Sequence, residues 1–373
     1  MSLFLRVPIF FLSVLGLLTL ANMVVYSAVV TLATPSQWWQ LVGLGVGLGL
    51  LSLSFIVATV LGTRFYNRGT RWYYTVTAIW IGFLVYLFFA SILFGLLALV
   101  IPLAWLPVIG SLLLGGALIL SLVGWLLARK IVVREVLITL PNLPTSWEGR
   151  KAVWLSDVHL GQLRGPKFLQ QIVDQVNELE RDLVFIGGDL FDGTLAPDIK
   201  VLCAPLEKLR APLGTFFVTG NHEEYGHSKT FTDIISAYGV RVLADEKIEL
   251  DGVQLVGVDY TSASQHADFE RILGGLALDQ SKPAILLKHE PRDLATAARA
   301  GISLQLSGHT HKAQLWPLSY LADWVYKGFS YGLKQFETMQ VFVSSGTGTW
   351  GPPLRIGSRC ELVVFTFQKS TNE

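Results

Sequence analysis

Ser307-Gly308-His309-Thr310-His311 is the stretch on which the reading of this chain turns, because it completes a scattered set of metal-type ligands. Upstream stand Asp157-Val158-His159, Gly188-Asp189, Gly220-Asn221-His222-Glu223 and Lys288-His289-Glu290. The 373 residues include only seven histidines, and five of them fall in these motifs. Each motif follows a run of strand-forming residues: 152–155, 183–186, 216–218, 284–287 and 303–306. Open sheets place their sites at the carboxyl ends of strands. Residues 167–180 carry helical spacing, with Phe168, Ile172, Val173, Val176 and Leu179 on one face. Strand-like runs with glycine turns at 240–260 and 341–367 complete an α/β domain with mixed sheets.

The residue types have a chemical logic. Carboxylate, imidazole and amide oxygen suit intermediate divalent ions such as Mn, Fe or Zn. A bridging carboxylate can hold two such ions about 3.5–4 Å apart, lowering the pKa of a shared water and clamping both oxygens of an in-line displacement at phosphorus. Taken singly, Asp-x-His and Gly-Asp arise by chance in many chains. Gly-His-x-His is more specific in a chain this poor in histidine. The ordered set after successive strands is what excludes five unrelated polar sites.

This set resembles the calcineurin-like metallophosphoesterase family over about residues 150–367. Within that family the chain looks like a membrane-associated bacterial phosphodiesterase-like branch, to which the tail Gly346-Thr347-Gly348-Thr349-Trp350-Gly351-Pro352-Pro353-Leu354-Arg355 is also similar. The resemblance implies a β-sandwich of two mixed sheets flanked by helices. It implies that Asp157, His159 and His311 hold a first divalent ion, that Asp189 bridges, and that Asn221, His289 and His309 hold a second. His222 would not be a ligand; it would stabilise the phosphoryl charge or protonate the leaving oxygen. Glu223 either orients His222 or is a surface carboxylate. Lys312-Ala313 departs from many relatives of the branch, which have small residues there, so Lys312 either contacts a substrate phosphate or is a solvated lysine. His227 and His266 lie outside the set and read as surface histidines, His227 with the alternative of lining the cleft. Asp192 either supports the Asp189 loop or is a turn aspartate before Gly193.

The first third has a different composition. No Asp, Glu, Lys, Arg or His occurs from Val7 to Thr63 or from Trp72 to Ala128. A hydrocarbon core about 30 Å thick takes about 20 apolar residues of helix, so each stretch accommodates two spans. Turns at Thr34-Pro35-Ser36-Gln37 and Pro102-Leu103-Ala104-Trp105 divide them into helices at 8–33, 38–62, 72–100 and 106–128. The first run is too long for a secretory signal core, and another span follows directly. Arg6, the group Arg64, Arg68 and Arg71, and the group Arg129, Lys130 and Arg134 fall on one side of that topology. Basic flanks collect on the cytoplasmic side, which predicts an integral, multi-pass protein of the inner or plasma membrane with a cytoplasmic catalytic domain. The spans carry no charge that would mark an ion path, and their glycines suit close packing. Membrane lipids are thus expected partners.

The predicted organisation is a transmembrane four-helix domain at 1–130, a linker at 131–147 punctuated by Pro141 and Pro144, and a metallophosphoesterase domain at 148–373. Net charge is +1, and no basic, aromatic-interleaved stretch is present, so nucleic acid is not an expected partner. Cys203 and Cys360 form no metal spacing and no disulfide framework, which suits a reducing compartment. The expected function is a membrane-anchored phosphoesterase acting on a phosphodiester or lipid-linked phosphate through a dinuclear metal-activated water. The alternatives are a non-catalytic membrane sensor or scaffold, and a lipid transporter with a regulatory hydrolase. The aromatic segment 315–331 beside the last motif reads either as a flap packed on its own domain or as an apolar lip of Trp316, Tyr320, Trp324 and Phe329 for membrane-proximal substrate.

Overall fold

The structure is a computed structural model that describes residues 3–34, 36–193, 199–224 and 228–370. The chain divides into two compact units: Met1–Leu127 with Gly351–Leu354, and Ala128–Trp350 with Arg355–Glu373.

The first unit is helical: α1 (Leu3–Ala33), α2 (Trp38–Arg64), α3 (Arg68–Leu97) and α4 (Leu106–Leu127). All four are long and apolar enough to cross a membrane. Asn67 starts α3 by accepting hydrogen bonds from the amides of Gly69 and Thr70, while Thr70 Oγ1 accepts from the Asn67 amide at 3.1 Å. This reciprocal cap satisfies amides that have no intrahelical acceptor. Small residues are the buried ones on α4: Gly110, Ala117, Ser121 and Gly124. A Cβ at Gly110 would stand 2.8 Å from the Phe94 ring, so this glycine sets how closely the helices approach. Large apolar side chains such as Leu112, Ile119 and Leu20 are exposed instead.

The second unit stacks two six-stranded sheets. In chain order the strands are β1 (Ile131–Leu140), β2 (Lys151–Leu155), β3 (Leu183–Ile186), β4 (Thr215–Phe217), β5 (Arg241–Val242), β6 (Glu246–Leu250), β7 (Val253–Gly257), β8 (Ala284–Leu287), β9 (Leu304–Ser307), β10 (Gly332–Phe336), β11 (Met339–Val343) and β12 (Cys360–Lys369). One sheet has the order β1-β12-β2-β3-β4-β5 and the other β10-β11-β9-β8-β7-β6. Both are mixed: β12 runs antiparallel to β2, while β2 to β5 are parallel, and β7, β8, β9 and β11 are parallel between antiparallel β6 and β10.

Residues 131–147, expected as a linker, begin instead with a strand. Ile131-Val132-Val133-Arg134-Glu135-Val136-Leu137-Ile138-Thr139-Leu140 is rich in β-branched residues, and it pairs in parallel with β12 from Ile131 opposite Cys360 to Leu140 opposite Lys369. The prolines that suggested a linker follow this strand and make its turn.

The two sheets share one core. Trp154, Phe185, Phe216, Phe365 and Phe367 of the first sheet cluster with Leu255, Ile285, Leu304 and Phe342 of the second. Full burial of side chains this large contributes roughly 1.5–3 kcal/mol each. Trp147 enters the same core and its indole N–H donates to Leu250 O at 2.9 Å, so the ring brings in no unmet donor. On the outer face of the second sheet, Val256, Leu286 and Val341 pack against Phe269, Ile272 and Ala297 of flanking helices. Helix α5 (Pro166–Glu178) buries Phe168, Leu169, Ile172, Val173 and Val176, the expected face apart from Leu169 and Leu179.

Candidate metal centre

The loops that leave β2, β3, β4, β8 and β9 carry Asp157, Asp189, Asn221, His289 and His309, so both sheets feed one site. The backbone there is unusual. Asp157, His159, Asp189, His309 and His311 all have positive φ, between 50° and 67°. Left-handed backbone costs a non-glycine residue of order 1 kcal/mol or more, and it persists where surrounding contacts enforce it. Here it turns short side chains back over the strand ends. Gly188, at φ 86°, leaves no room for a side chain: a Cβ there would lie 2.7 Å from His289 Nδ1 and 2.8 Å from the Gly220 amide.

Two groups of side chains converge. In the first, His159 Nε2 stands 3.0 Å from His311 Nε2, and Asp157 Oδ1 is 3.5 Å from that same His311 nitrogen. In the second, His309 Nδ1 is 2.8 Å from Asn221 Oδ1 and 3.3 Å from His289 Nε2. Asp189 Oδ2 lies between them, 3.2 Å from His289 Nε2 and 3.9 Å from His159 Nε2. These side chains fall into groups whose ligand atoms lie within 4.8 Å of one another, the arrangement that suits bound ions. All seven predicted ligands are therefore brought together.

The residues fit divalent ions on a second count. His289 Nδ1 donates to Gly187 O at 2.7 Å, which orients the ring so that Nε2 faces the cluster. Asp157 is held by the His309 amide at 2.9 Å and Asp189 by the His222 amide at 2.9 Å. Asp157, Asp189 and His289 are almost wholly buried. Burial pushes the Asp157 carboxyl up. Burial also opposes charge on His289, yet Asp189 and Asp157 lift that imidazole to about 10. Burial, reinforced by His289, drops His309 to about 3, and burial with His159 lowers His311 well below its usual value. Neutral imidazole is the form that ligates.

The supporting residues differ from expectation. Glu223 neither orients His222 nor lies at the surface. It is fully buried, and it accepts from the amides of Asp189 at 2.9 Å, Gly220 at 2.7 Å and Phe191 at 3.1 Å. It thus ties the Asp189 loop to the Asn221 loop; burial and then Asp189 raise its carboxyl to about 7. Asp192 faces rings rather than the Asp189 backbone: its Oδ1 is 3.6 Å from His159 Nδ1 and 3.9 Å from His222 Nδ1. Lys312 places its ammonium 4.6 Å from the centre of the Tyr331 ring. His266 is exposed and pairs with Asp293 at 2.9 Å. His227 lies outside the described residues.

Sequence reading missed Arg355. It is fully buried, its Nη1 donates to His311 O at 2.9 Å, and its Nη2 donates to Gly348 O at 2.6 Å. Its advance signals are its place at the end of the branch-like tail 346–355 and an arginine directly after the apolar Pro352-Pro353-Leu354, neither of which gives its role. The segment 315–331 divides between the two readings: Leu315 and Ser330 are buried and Phe329 packs against the outer core of the second sheet, whereas its helix stands out. Tyr320, Leu321 and Trp324 of the helix Ser319–Val325 are exposed, Trp324 by 78%. Trp350, also exposed, has its ring centre 6.1 Å from that of His222.

Comparison with known proteins places this geometry. The family model for calcineurin-like phosphoesterases matches residues 151–313. An uncharacterized metallophosphoesterase of Aquifex aeolicus is 32% identical over 248 residues, 64% of this chain and 93% of that protein. The chain belongs to the calcineurin-like phosphoesterase family. A Bos taurus transmembrane protein with metallophosphoesterase domain is 38% identical over 67% of this chain and 60% of its own length. A Helicobacter pylori metallophosphoesterase is 37% identical over 57% of this chain and 58% of its own. The phosphoesterase chain thus spans under two thirds of these last two relatives. The matched residues 151–313 include all seven side chains that the two sheets bring together.

Proposed function

We propose that this protein is a membrane-anchored, metal-dependent phosphoesterase that hydrolyses a phosphodiester or a lipid-linked phosphate. The observation that carries the proposal is Asp189 Oδ2, within reach of His289 on one side and His159 on the other. In this reading Asp157, His159 and His311 hold one divalent ion, Asn221, His289 and His309 hold another, and Asp189 serves both. Mn, Fe or Zn suits this mixture of imidazole, carboxylate and amide donors. Ions bound there would supply Lewis acidity and an activated water.

The chain's own residues do the rest. Hydrolysis forms a P–O bond from water and breaks the P–O bond to the alcohol, whose oxygen must gain a proton. His222 has its ring beside that of His159, with centres 4.7 Å apart, on the open side marked by Trp350. It acts as donor to the phosphoryl charge or as the proton source. Glu223 fixes the backbone on which Asp189 and Asn221 are presented. Support for the membrane part comes from the four apolar helices and from the bovine relative's description as a transmembrane protein. The arginine and lysine groups flanking those helices favour a cytoplasmic catalytic domain.

The test is hydrolysis of bis(p-nitrophenyl) phosphate and p-nitrophenyl phosphate by the full chain, chelated and then supplied with Mn, Zn, Fe or Mg. Turnover that depends on metal and is lost in Asp189→Asn is expected. Two bound ions without turnover of either ester would leave a scaffold that keeps the fold.

A further inference from the structure

An open groove of about 580 Å³ lies beside the metal centre in the second unit. Its lining mixes apolar Leu294, Val325, Phe329 and Phe336 with charged groups: Arg292, Lys327 and the carboxylate of Asp293, which pairs with His266. It is joined to the site through one carboxylate. Glu290 Oε1 accepts from Tyr326 Oη at 3.1 Å, pairs with Arg292 Nε at 2.6 Å, and stands 3.6 Å from His309 Nε2. Tyr326, itself part of the lining, sets its ring edge-to-face with His309, centres 6.2 Å apart. A chain of direct contacts therefore runs from a candidate ligand to the groove.

We infer that this groove holds the non-reacting arm of the phosphoester, and that this arm is a long alkyl or acyl chain. The inference rests on the phosphoesterase reading and names its substrate class, an amphiphilic phosphoester. Three observations carry it. The volume falls within the roughly 300–1,000 Å³ usual for small-molecule sites. Leu294, Val325, Phe329 and Phe336 supply apolar surface for the arm, while Tyr326, with its ring against His309, and Arg292, over that ring, stand at the end nearest His309, where a phosphate would sit. The apolar surface continues outward: Val325, which lines the groove, is exposed, as are Tyr320 and Trp324 of the same short helix. Each buried methylene strengthens binding by about fourfold, so such a groove depends strongly on chain length.

Two p-nitrophenyl phosphodiesters that share a leaving group and differ only in the second alcohol, methyl or hexadecyl, test this. The full chain in lipid nanodiscs should favour the hexadecyl ester in kcat/KM by tenfold or more. Ala295→Trp adds bulk at an exposed lining position and should erase that preference while leaving the methyl ester rate unchanged. Val325→Glu, also at an exposed lining position, should act the same way. Partition of the hexadecyl ester into the nanodisc is common to all three proteins and cannot produce the difference. Equal rates for both esters in the unaltered protein, or a preference that survives both substitutions, would overturn the groove and leave the hydrolase standing. Failure of both esters with every metal would count against the hydrolase instead. The groove is then read from binding of a fluorescent hexadecyl phosphonate, which Ala295→Trp should weaken tenfold or more; unchanged binding would overturn it.

Discussion

Among the described residues of Met1–Leu127 the buried polar side chains are small and neutral: Asn22, Ser52, Thr77, Ser91 and Ser121. In the phosphoesterase unit they include Asp157, Asp189, Glu223, Lys288, His289 and Arg355. Asn22, Ser52, Thr77 and Ser121 each donate to a carbonyl of their own helix. Ser52 Oγ donates to Leu48 O at 3.1 Å and Ser121 Oγ to Ala117 O at 2.8 Å. Buried charges have no such local remedy and require opposite charge and several hydrogen bonds at once. The second unit accordingly spends loop backbone, left-handed residues and distant chain segments on one small volume. Its polar contacts should matter greatly when altered, and those of the helical unit should matter little.

The largest effect belongs to Asp189, whose one oxygen reaches both histidine groups. Asp189→Asn should lower turnover by roughly 10³-fold or more, the scale of removing a principal electrostatic group. Elemental analysis should also show fewer bound ions. Full activity with full metal content would remove the contrast at its strongest point.

His222 sharpens it. His159, Asp189 and His222 also form a group that could hold an ion. As donor or acid, His222 should cost about 10²–10⁴-fold in kcat when replaced by alanine, with metal content unchanged. Loss of an ion in His222→Ala would move that residue into the ligand set.

Glu223 comes next. Its three accepted amide hydrogen bonds hold the loops rather than the substrate. Glu223→Gln removes the charge and part of the accepting capacity, and should weaken metal affinity by about 10–100-fold. A titration with metal after chelation measures it. Unchanged affinity would mean that the Asp189 loop holds its shape without this residue.

Proton linkage gives a smaller, graded effect. With its pKa raised to about 10, His289 is protonated near neutral pH in metal-free protein. That charge stabilises the folded chain below the ordinary histidine value, and the stabilisation is lost as pH rises through about 10. An ion must displace the proton to use Nε2. Apparent affinity should therefore fall as pH is lowered, by up to about tenfold per pH unit for one proton. Affinity that does not change between pH 6 and 9 would show that the carboxylates do not hold that proton.

How much of this was legible in the sequence follows the range of each interaction. The residues that the site brings together were legible because each stands within four residues of a strand end, so motif and strand are read together. The four apolar helices were legible because absence of charge is a property of the segment alone. Strand β1 was hidden because its partner β12 lies near the other end of the chain, and β-branched residues before two prolines read equally well as a connection. The roles of Glu223 and Arg355 were hidden for the same reason. Each acts on backbone amides or carbonyls of a remote loop, to which side-chain motifs give no clue. The positive φ of Asp157, Asp189 and His309 is likewise enforced by the assembled loops.

Asn22 supplies the smallest effect and the sharpest contrast with Asp189. Its Nδ2 donates to Ser52 Oγ at 2.7 Å, joining α1 to α2. By its apolar surrounding alone, a hydrogen bond between helices would rival those of the candidate metal centre. Yet each partner keeps a second option on its own helix: Asn22 Nδ2 also reaches Leu18 O at 2.9 Å, and Ser52 Oγ reaches Leu48 O. Replacing either one leaves the other with its local acceptor, so only the difference between two adequate partners is lost. A double-mutant cycle of Asn22→Ala and Ser52→Ala, read from unfolding in bicelles, should give a coupling near 0.6 kcal/mol. A coupling above about 2 kcal/mol would mean that the local acceptors do not compensate, and that the helical unit, like the phosphoesterase unit, depends on contacts made at a distance.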